Sequence, residues 1–336
     1  MKKILITVIA SMLAVMGYAQ SSLLATLSQN GEISTFYGTQ AFVDAYNAAE
    51  DGAVITLSSG SFTATNINKR ITIRGAGMGI DVNSKTEPTI LVGDFHIDVD
   101  DATSPRLSIE GIFHNHEIAV YNKMENVSFI RCRFRNINMQ GNWENPQTFE
   151  MVNCRVSERI NCNRRGTISC INSIICNPRW DDVEYANFEF VNCVIVRGDY
   201  DAICNSTFRN CICVGNTYSV TFLDESNIAY NCVNVDDSSN DGIFRKILND
   251  TNTDIKGYDA VFKTFTGTYT DDETFELTDE AKTKYLGLDG TQVGIYGGAI
   301  PYSATPSTPR IVKCDVAPKS SADGKLSIDI EVGDSE

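Results

Sequence analysis

A five-residue pattern recurs through the middle of the chain, at intervals of roughly twenty residues that are typical of a repeat protein. The pattern runs through an asparagine to a small residue and continues with apolar side chains. It is complete at Val152–Val156, Ile171–Ile175, Val191–Ile195, Arg209–Cys213 and Tyr230–Asn234. We call the small residue the rung. Counting weaker matches upstream, the predicted rungs are Gly75, Gly93, Gly111, Cys132, Cys154, Ser173, Cys193, Cys211 and Cys232.

A repeat of this length without helical periodicity between the rungs leaves few folds. A leucine-rich repeat has a similar length, but it needs a leucine-dense pattern that this chain lacks. Each unit instead contains short alternating apolar runs separated by polar turns, which predicts strands. One such unit cannot bury its own apolar face, whereas stacked units can. The predicted fold is therefore all-β, a single-stranded parallel β-helix of about ten coils in which equivalent side chains stack in columns.

The column logic explains both recurring residues of the pattern. An inward position at a tight bend admits only small side chains, which suits the rungs. Asparagine tolerates the left-handed backbone that a one-residue bend requires. Stacked side-chain amides can also bond to one another along the column where water is excluded. The consecutive asparagines are Asn153, Asn172, Asn192, Asn210 and Asn231.

The chain resembles the secreted bacterial right-handed parallel β-helix proteins of the pectin-lyase-like superfamily. The resemblance rests on the asparagine ladder and on residues 41–52, which resemble the capping helix of that superfamily and precede a strand at Val54–Leu57. It covers roughly residues 36–300 and concerns architecture rather than activity. The segment 275–298 resembles the closing segment of such proteins. In that superfamily the ladder lies between the second and third sheets, and the turn after the third sheet borders the substrate cleft.

The two ends of the chain predict export and a separate tail. Residues 1–19 combine Lys2 and Lys3 with an apolar run and small residues before Ala19, as a signal peptide does. The destination would be the periplasm, the cell surface or the medium. We expect the β-helix domain to span residues 20–300, with an N-terminal cap at 36–52 and the last coils and cap at 244–300. Residues 301–336 would form a tail with a β-hairpin.

The 11 cysteines allow three interpretations. Neighbours on parallel strands rarely present their sulfur atoms in the geometry of a disulfide. A metal site would have to be assembled by stacking, because the cysteines lie far apart in sequence. Cysteine is also a small side chain that is commonly buried. We favour core positions for the rung cysteines. A single disulfide bond between an off-rung cysteine, such as Cys162, and a neighbouring cysteine is an alternative that the sequence leaves open.

Large aromatic residues predict a binding surface. Trp180, Tyr200 and Tyr218 each lie seven residues after a rung, and Trp143 lies in a longer turn on the same side. Such a column could stack against the rings of a polysaccharide or other glycan. The alternative is that these rings only pack on one another and shield a turn.

Charged residues flank the aromatic column. Stacked carboxylates either raise one pKa or hold a cation such as calcium. A polysaccharide lyase of the resembled superfamily would use calcium on such acids with an arginine as base, and a glycoside hydrolase would need paired carboxylates. No catalytic motif of the superfamily matches residue by residue. A solvated acidic turn is the simpler alternative. The candidate residues are Asp181, Asp199, Asp201, Arg179 and Arg197, with Asp181 and Asp201 as candidate calcium ligands.

A second, weaker metal hypothesis concerns the histidines. Aligned on their rungs, His96 and His114 fall three residues on, whereas Asp98 and His116 fall five residues on. Together they would form an outward cluster suited to zinc or another transition metal. The alternative is that they are simply solvent-facing.

The sequence thus predicts an exported β-helix protein with a glycan-binding face and no required cofactor. Its formal net charge of −15 and the lack of a basic run argue against nucleic acid as a partner. No transmembrane segment is expected after residue 19, and a monomer is expected. A polysaccharide lyase or glycoside hydrolase is one alternative. A structural or adhesive surface protein is the other.

Overall fold

The computed structural model describes residues 23–79, 87–99, 104–121, 124–140, 147–162, 166–180, 186–196, 205–215, 227–236, 251–306, 310–316, 324–325 and 328–333. The helices are α1 (Ala41–Ala48), a 3-10 turn (Tyr258–Ala260) and α2 (Asp279–Lys284). The strands are β1 (Leu24–Gln29), β2 (Glu32–Tyr37), β3 (Val54–Leu57), β4 (Gly60–Thr63), β5 (Thr72–Arg74), β6 (Thr89–Val92), β7 (Phe95–Ile97), β8 (Leu107–Glu110), β9 (Ile112–Val120), β10 (Met124–Ile130), β11 (Arg133–Met139), β12 (Gln147–Val152), β13 (Arg155–Cys162), β14 (Gly166–Ile171), β15 (Ile174–Cys176), β16 (Pro178–Trp180), β17 (Ala186–Val191), β18 (Val194–Val196), β19 (Thr207–Arg209), β20 (Ile212–Val214), β21 (Ile228–Tyr230), β22 (Val233–Asp236), β23 (Thr253–Lys256), β24 (Arg310–Val316) and β25 (Ile328–Gly333).

These strands build a parallel β-helix, as predicted. Sheet A has 11 strands in the order β2-β1-β3-β5-β8-β10-β12-β14-β17-β19-β21, and sheet B has 12, of which β23-β22-β20-β18-β15-β13-β11-β9-β6-β4 form the main path. From β3 and β4 onward, neighbouring strands in both sheets pair in parallel. The strands β7 and β16 extend sheet B beside the C-terminal parts of β9 and β13.

The inward side chains of both sheets form one apolar core along the solenoid axis. Equivalent residues of adjacent coils stack directly, as the repeat predicts. Phe190 and Phe208 are in register, and their ring centroids lie 5.0 Å apart in a stacked arrangement. Both rings are fully buried. Since each coil covers the open end of its neighbour, the core depends on the continuity of the stack.

The bend between sheet A and sheet B has the same geometry on successive coils. The five predicted asparagines have φ angles between 45° and 55°, the left-handed conformation that the pattern predicts. Their backbone N–H groups link one coil to the next. For example, Asn172 N donates to Val191 O at 3.0 Å, and Asn192 N donates to Arg209 O at 2.9 Å. The predicted vertical stacking of the asparagines is therefore confirmed.

The register predicted for the first coils is wrong by one residue. Glu110 pairs with Arg74 on one side and with Ile130 on the other. Gly75 and Gly111 therefore occupy the bend column, not the rung column. Glycine is needed there because a Cβ atom on Gly75 would lie 2.4 Å from the carbonyl oxygen of Gly111.

Gly93 is not a rung either. It lies between β6 and β7, which both pair with the long strand β9. The segment from Gly75 to Gly111 is thus a single coil with a long excursion, and its two short strands imitate the spacing of two coils. The number of coils is consequently slightly lower than the ten or so predicted. Phe113, two residues after the predicted rung Gly111, neighbours Arg133 on the outer face of sheet B.

The rung cysteines are core residues, as favoured above. All five are fully buried: Cys132, Cys154, Cys193, Cys211 and Cys232. None of the cysteines whose side chains the structure describes forms a disulfide bond. Their thiols donate to the carbonyl two residues earlier, for instance Cys211 Sγ to Arg209 O at 3.2 Å. Ser173 Oγ makes the same bond to Ile171 O at 2.8 Å. The rung therefore needs a small donor that satisfies a carbonyl at the bend, which explains why serine can replace cysteine at Ser173.

The N-terminal cap is larger than predicted. Helix α1 buries Phe42 and Tyr46, and it ends at Ala48 rather than at Gly52. It ends early because Ala49 is extended and Lys69 Nζ donates to the carbonyls of Tyr46 and Ala49 at 2.7 and 2.8 Å. A basic group on the last carbonyls stabilises a helix C-terminus. The hairpin of β1 and β2 continues sheet A antiparallel to β3, and the sequence interpretation did not foresee it.

The rung chemistry predicts different outcomes for two substitutions at Cys211. Cys211→Ser should leave the melting temperature nearly unchanged, because serine already serves as the rung at Ser173. Cys211→Leu should lower the free energy of unfolding by about 1–3 kcal/mol, since the fully buried site has no room for the added carbon atoms. Thermal and chemical unfolding followed by circular dichroism would measure both. A tolerated leucine would show that the rung column is not sterically restricted.

Candidate functional site

The predicted aromatic column falls on the connections that lead from sheet B back to sheet A. Trp143 lies between β11 and β12, Tyr200 lies between β18 and β19, and Tyr218 lies between β20 and β21. These three residues lie outside the described residues. So do the candidate acids and one candidate base: Asp181, Asp199, Asp201 and Arg197.

Trp180 and Arg179 are described only through their backbone. They end β16, where their Cα atoms pair with those of Cys162 and Asn161 in β13. The strands that flank the aromatic-bearing connections are direct neighbours in sheet A, from β12 through β14, β17 and β19 to β21. These connections therefore rejoin sheet A one above another.

The outer face of sheet B is covered by the chain itself. Ile174, Val194, Ile212 and Val233 form an outward column in register along four coils. They pack against apolar residues of the C-terminal segment and are buried. This second core also contains Tyr258, Val261, Phe262, Phe265, Phe275, Leu277, Ala281, Tyr285, Val293 and Ile295.

A further stretch of the C-terminal segment runs along the bend column. We call residues 286–306 the strap. Leu286 O accepts a bond from Asn231 Nδ2 at 3.2 Å, and Leu288 N donates to Asn210 Oδ1 at 3.1 Å. At the other end, Pro306 lies beside Gly111, since a Cβ atom there would be 3.3 Å from Pro306 Cγ. The strap thus extends from the last described asparagine of the column to its first glycines.

The strap changes the interpretation of the asparagine side chains. We expected the stacked amides to bond to one another. Asn172 Nδ2 donates instead to two strap carbonyls, Ile295 O at 2.8 Å and Gly297 O at 2.7 Å. These amides are held by a segment of turns and bends, whose backbone presents more free carbonyl and N–H groups than the neighbouring asparagines do. The expectation of an amide-to-amide ladder is therefore wrong at Asn172, Asn210 and Asn231.

Arginine side chains meet the C-terminal segment near the middle of the bend column. Arg133 and Arg155 are neighbours on adjacent strands of sheet B. Arg133 pairs with the carboxylate of Asp271, and its guanidinium lies 4.4 Å from the ring centroid of Phe113. Arg155 is 1% exposed and donates to the carbonyl oxygens of Asp271 and Glu273. These bonds fix the loop that precedes Phe275.

The surroundings of Arg155 keep it charged. Burial alone would lower its pKa, but the adjacent Tyr302 and Tyr269 more than offset that effect, and the pKa is raised. Burial raises the pKa of both tyrosines, so their hydroxyl groups stay neutral. It also raises the pKa of Tyr296 to about 12. The buried Arg155 is therefore held by backbone carbonyls and neutral phenols, an arrangement that suits anchoring of the C-terminal segment rather than proton abstraction.

The histidines do not form the predicted outward cluster. His114 is fully buried, and its Nδ1 lies 2.9 Å from Leu91 O. His96 pairs with Ala119, not with His114, because β9 continues past the bend that the repeat alignment assumed. His116 Nδ1 lies 3.4 Å from Asp94 Oδ1 on the surface. Asp98 N donates to Ile67 O, which places Asp98 just beyond β7.

The described part of the chain contains neither a cluster of metal-ligating side chains nor a membrane-spanning helix. No group of three or more His, Cys, Asp or Glu side chains there is arranged to hold a metal ion. No described helix is long and apolar enough to span a bilayer. The calcium hypothesis for Asp181 and Asp201 concerns residues outside this part and stays a prediction.

Comparison with known proteins adds no further assignment. No family model matches the chain, and neither a curated protein nor a solved structure matches it.

Neither the strap nor the cluster of Arg133 and Arg155 was predicted from the sequence. A signal was present, because Arg133 and Arg155 replace the apolar residue that follows the rung in later coils. The five glycines between residues 287 and 298 also permit close contact with another backbone. Neither feature names its partner, which lies more than a hundred residues away.

Substitutions at two glycines of the strap test how closely the strap packs against the asparagine column. Gly298 and Gly290 have φ angles of 75° and 77°, so alanine at either should cost about 1–2 kcal/mol in backbone strain. A Cβ atom on Gly298 would also lie 2.1 Å from Asn192 Nδ2, whereas Gly290 has open space. We expect Gly298→Ala to reduce the unfolding free energy by about 1–3 kcal/mol more than Gly290→Ala does. Equal losses in denaturant titrations would argue against a closely seated strap.

The buried His114 predicts loss of stability in acid. Burial lowers its pKa, and the bonds near Leu91 and Glu117 only partly oppose this effect. The unfolded chain therefore takes up a proton at higher pH than the folded chain does. The contribution of His114 to the free energy of unfolding should be fully present above about pH 6.5 and should be lost progressively as pH decreases below that value.

His114→Gln should flatten this part of the pH–stability curve. His116→Gln, at a surface residue two positions on, is the matched control and should retain the slope. Denaturant titrations at a series of pH values would measure all three proteins. An unchanged slope in His114→Gln would assign the acid sensitivity to other groups.

Proposed function

We propose that this protein is an exported β-helix protein that binds a polysaccharide or glycan along the side where the coil-to-coil connections emerge. The aromatic residues Trp143, Trp180, Tyr200 and Tyr218 would supply the stacking surfaces. The superfamily resemblance and the signal-peptide pattern of residues 1–19 support the assignment to secreted proteins. Binding without catalysis is the simplest function consistent with this arrangement.

The observation that carries the proposal is the parallel stacking of the flanking strands. Because β12, β14, β17, β19 and β21 are successive neighbours, each connection rejoins the solenoid one strand spacing from the previous one. That spacing is about 4.8 Å. Aromatic residues on successive connections would therefore repeat at a distance comparable to one sugar ring. A linear glycan aligned with the solenoid axis could contact several of them.

Two other surfaces of the solenoid are covered by the chain itself, which favours the side with the connections as the place where a glycan binds. The C-terminal segment covers the outer face of sheet B, and the strap covers the bend between the sheets. Both surfaces are therefore occupied by the chain itself along several coils.

The net charge narrows the class of glycan. Without Lys2 and Lys3 the chain has 26 basic and 43 acidic residues. A strongly acidic protein repels a polyuronate unless cations bridge the two. A neutral glycan is therefore the favoured ligand, and binding of an acidic one should require calcium.

Substitution of Trp180 tests the proposal. Trp180→Ala in the mature chain should weaken binding to a glycan found on an array by about tenfold, as expected for the loss of one stacking contact. Tyr37→Ala is the matched control, because Tyr37 is 55% exposed on the N-terminal hairpin, away from the connections. The control should bind like the unaltered protein. Isothermal titration calorimetry with the identified oligosaccharide would supply the dissociation constants.

Activity assays on the same samples separate the remaining functions. Calcium-dependent release of unsaturated sugars, lost in Asp201→Asn, would replace the proposal with a polysaccharide lyase. Release of reducing sugars without calcium would indicate a glycoside hydrolase. No binding and no turnover across a broad glycan panel would leave a structural or adhesive role and would contradict the proposal.

A further inference from the structure

Strand β2 forms an open edge at the N-terminal end of sheet A, and no described strand lies beside its outer side. Every residue of β2 except Phe36 is exposed. The exposed fractions of Ile33 and Tyr37 are 73% and 55%. An edge strand offers a row of N–H and C=O groups to any further strand, so natural proteins usually protect it.

The pairing with β1 decides which backbone groups of β2 point outward. Bonded and non-bonded pairs alternate along an antiparallel ladder. Gly38 N donates to Leu23 O at 3.0 Å, so the register makes Phe36 and Ser34 the next residues that bond to β1. The residues between them direct their N–H and C=O groups away from β1. These residues are Ile33, Thr35 and Tyr37.

The usual protections of an edge strand are missing from β2. The strand contains neither lysine nor proline, and its six pairs with β1 follow one register without a bulge. Residues 20–43 include a single charged residue, Glu32, although 21% of the whole chain is charged. Depletion of charge together with aromatic side chains is typical of the centre of a protein interface. The edge is therefore suited to a partner strand.

The opposite end of sheet A is closed, which restricts how copies of the chain can join. The last strand there is β21, and the carbonyl of its central residue, Ala229, accepts a bond from Asn252 Nδ2 at 2.9 Å. Just beyond β21, Cys232 N donates to Asn252 Oδ1 at 3.0 Å. Because the following coil occupies this edge, β2 of one copy cannot add to β21 of the next to build a filament. Pairing of β2 with itself instead gives a closed, two-fold assembly.

We propose that two copies of the chain form a dimer by antiparallel pairing of their β2 edges, with Thr35 on the two-fold axis. In this register Ile33 faces Tyr37 of the second copy, and each of the three outward pairs exchanges two hydrogen bonds. An aliphatic side chain then lies opposite an aromatic one, which stabilises a strand pair. Glu32 lies opposite Gly38 of the second copy, so the two carboxylates do not meet.

This dimer differs from the monomer expected from the sequence, because the repeat gives no sign of the β1–β2 hairpin. Its interface contains none of the aromatic-bearing connections. The inference therefore does not depend on the proposed glycan surface.

Charge substitutions on the two-fold axis test the proposed register. Thr35 is exposed, so lysine or glutamate there should leave the melting temperature of the mature chain unchanged. In sedimentation velocity experiments the unaltered protein should dimerise with a dissociation constant on the order of 10 μM, as expected for a small interface. Thr35→Lys and Thr35→Glu should each weaken the dimer by about tenfold or more, because like charges meet at the axis. An equimolar mixture of the two variants should recover the dimer, since opposite charges then face each other.

Thr56→Lys is the matched control. Thr35 and Thr56 both pair with Thr26 and both are exposed, but Thr56 belongs to β3 in the interior of the sheet. This variant should dimerise like the unaltered protein. Hydrogen–deuterium exchange adds a second readout, because the N–H group of Thr35 should become protected as the protein concentration rises.

Two results would overturn the proposal. The first is a chain that stays monomeric at about 200 μM, well above the expected dissociation constant. Protection of the Thr35 N–H group in that monomer would assign the edge to another segment of the chain, such as residues 307–336. The second is a dimer that Thr35→Lys leaves intact, since its interface would then lie elsewhere.

Discussion

The structure depends on a single backbone constraint, the left-handed bend between sheet A and sheet B that recurs on successive coils from Gly111 to Asn231. A one-residue bend turns the chain into sheet B, and the N–H group of the bend residue donates to the coil that follows. Only glycine and asparagine adopt this conformation easily, although Arg131 also adopts it here with a φ angle of 49°. Because these successive coils repeat the bend at the same place, equivalent residues stack, and the apolar core becomes continuous.

The strap adds contacts between coils that are not neighbours in the bend column. In a simple solenoid each repeat contacts only the adjacent repeats, so stability is nearly a sum of local terms. Here residues 286–306 contact coils from Asn231 to Gly111. The segment before the strap also buries the outer column of sheet B in a second core. Both contacts connect coils that would otherwise be independent, and they favour cooperative unfolding.

The sequence was sufficient for the fold class and for the stacking of Asn153, Asn172 and Asn192, because the repeat constrains both directly. The sequence did not predict the register of the first coils, because one residue type can occupy more than one column there. Gly75 and Gly111 fit the rung by size, yet they occupy the bend, because glycine satisfies both positions. His114 was placed on the surface for the same reason. One wrong register in a strand moves a side chain to the opposite face.

Long-range contacts could not be predicted from the repeat at all. The burial of Arg155 depends on Asp271 and Glu273, and its local sequence looks like that of an exposed strand residue. For the candidate glycan site, the sequence identifies the aromatic residues, and the structure adds the order and register of the strands that flank them. Whether the rings of Trp143, Trp180, Tyr200 and Tyr218 align depends on connections whose conformation no repeat specifies.

Hydrogen–deuterium exchange of the bend amides tests the central claim most directly. The N–H groups of Asn153, Asn172, Asn192 and Asn210 each donate to the following coil. We expect these amides to exchange as slowly as the amides of the central strands. The strap amides of Leu288 and Gly294, which donate to Asn210, should be protected to the same extent. Rapid exchange at the bends beside protected strands would contradict the account.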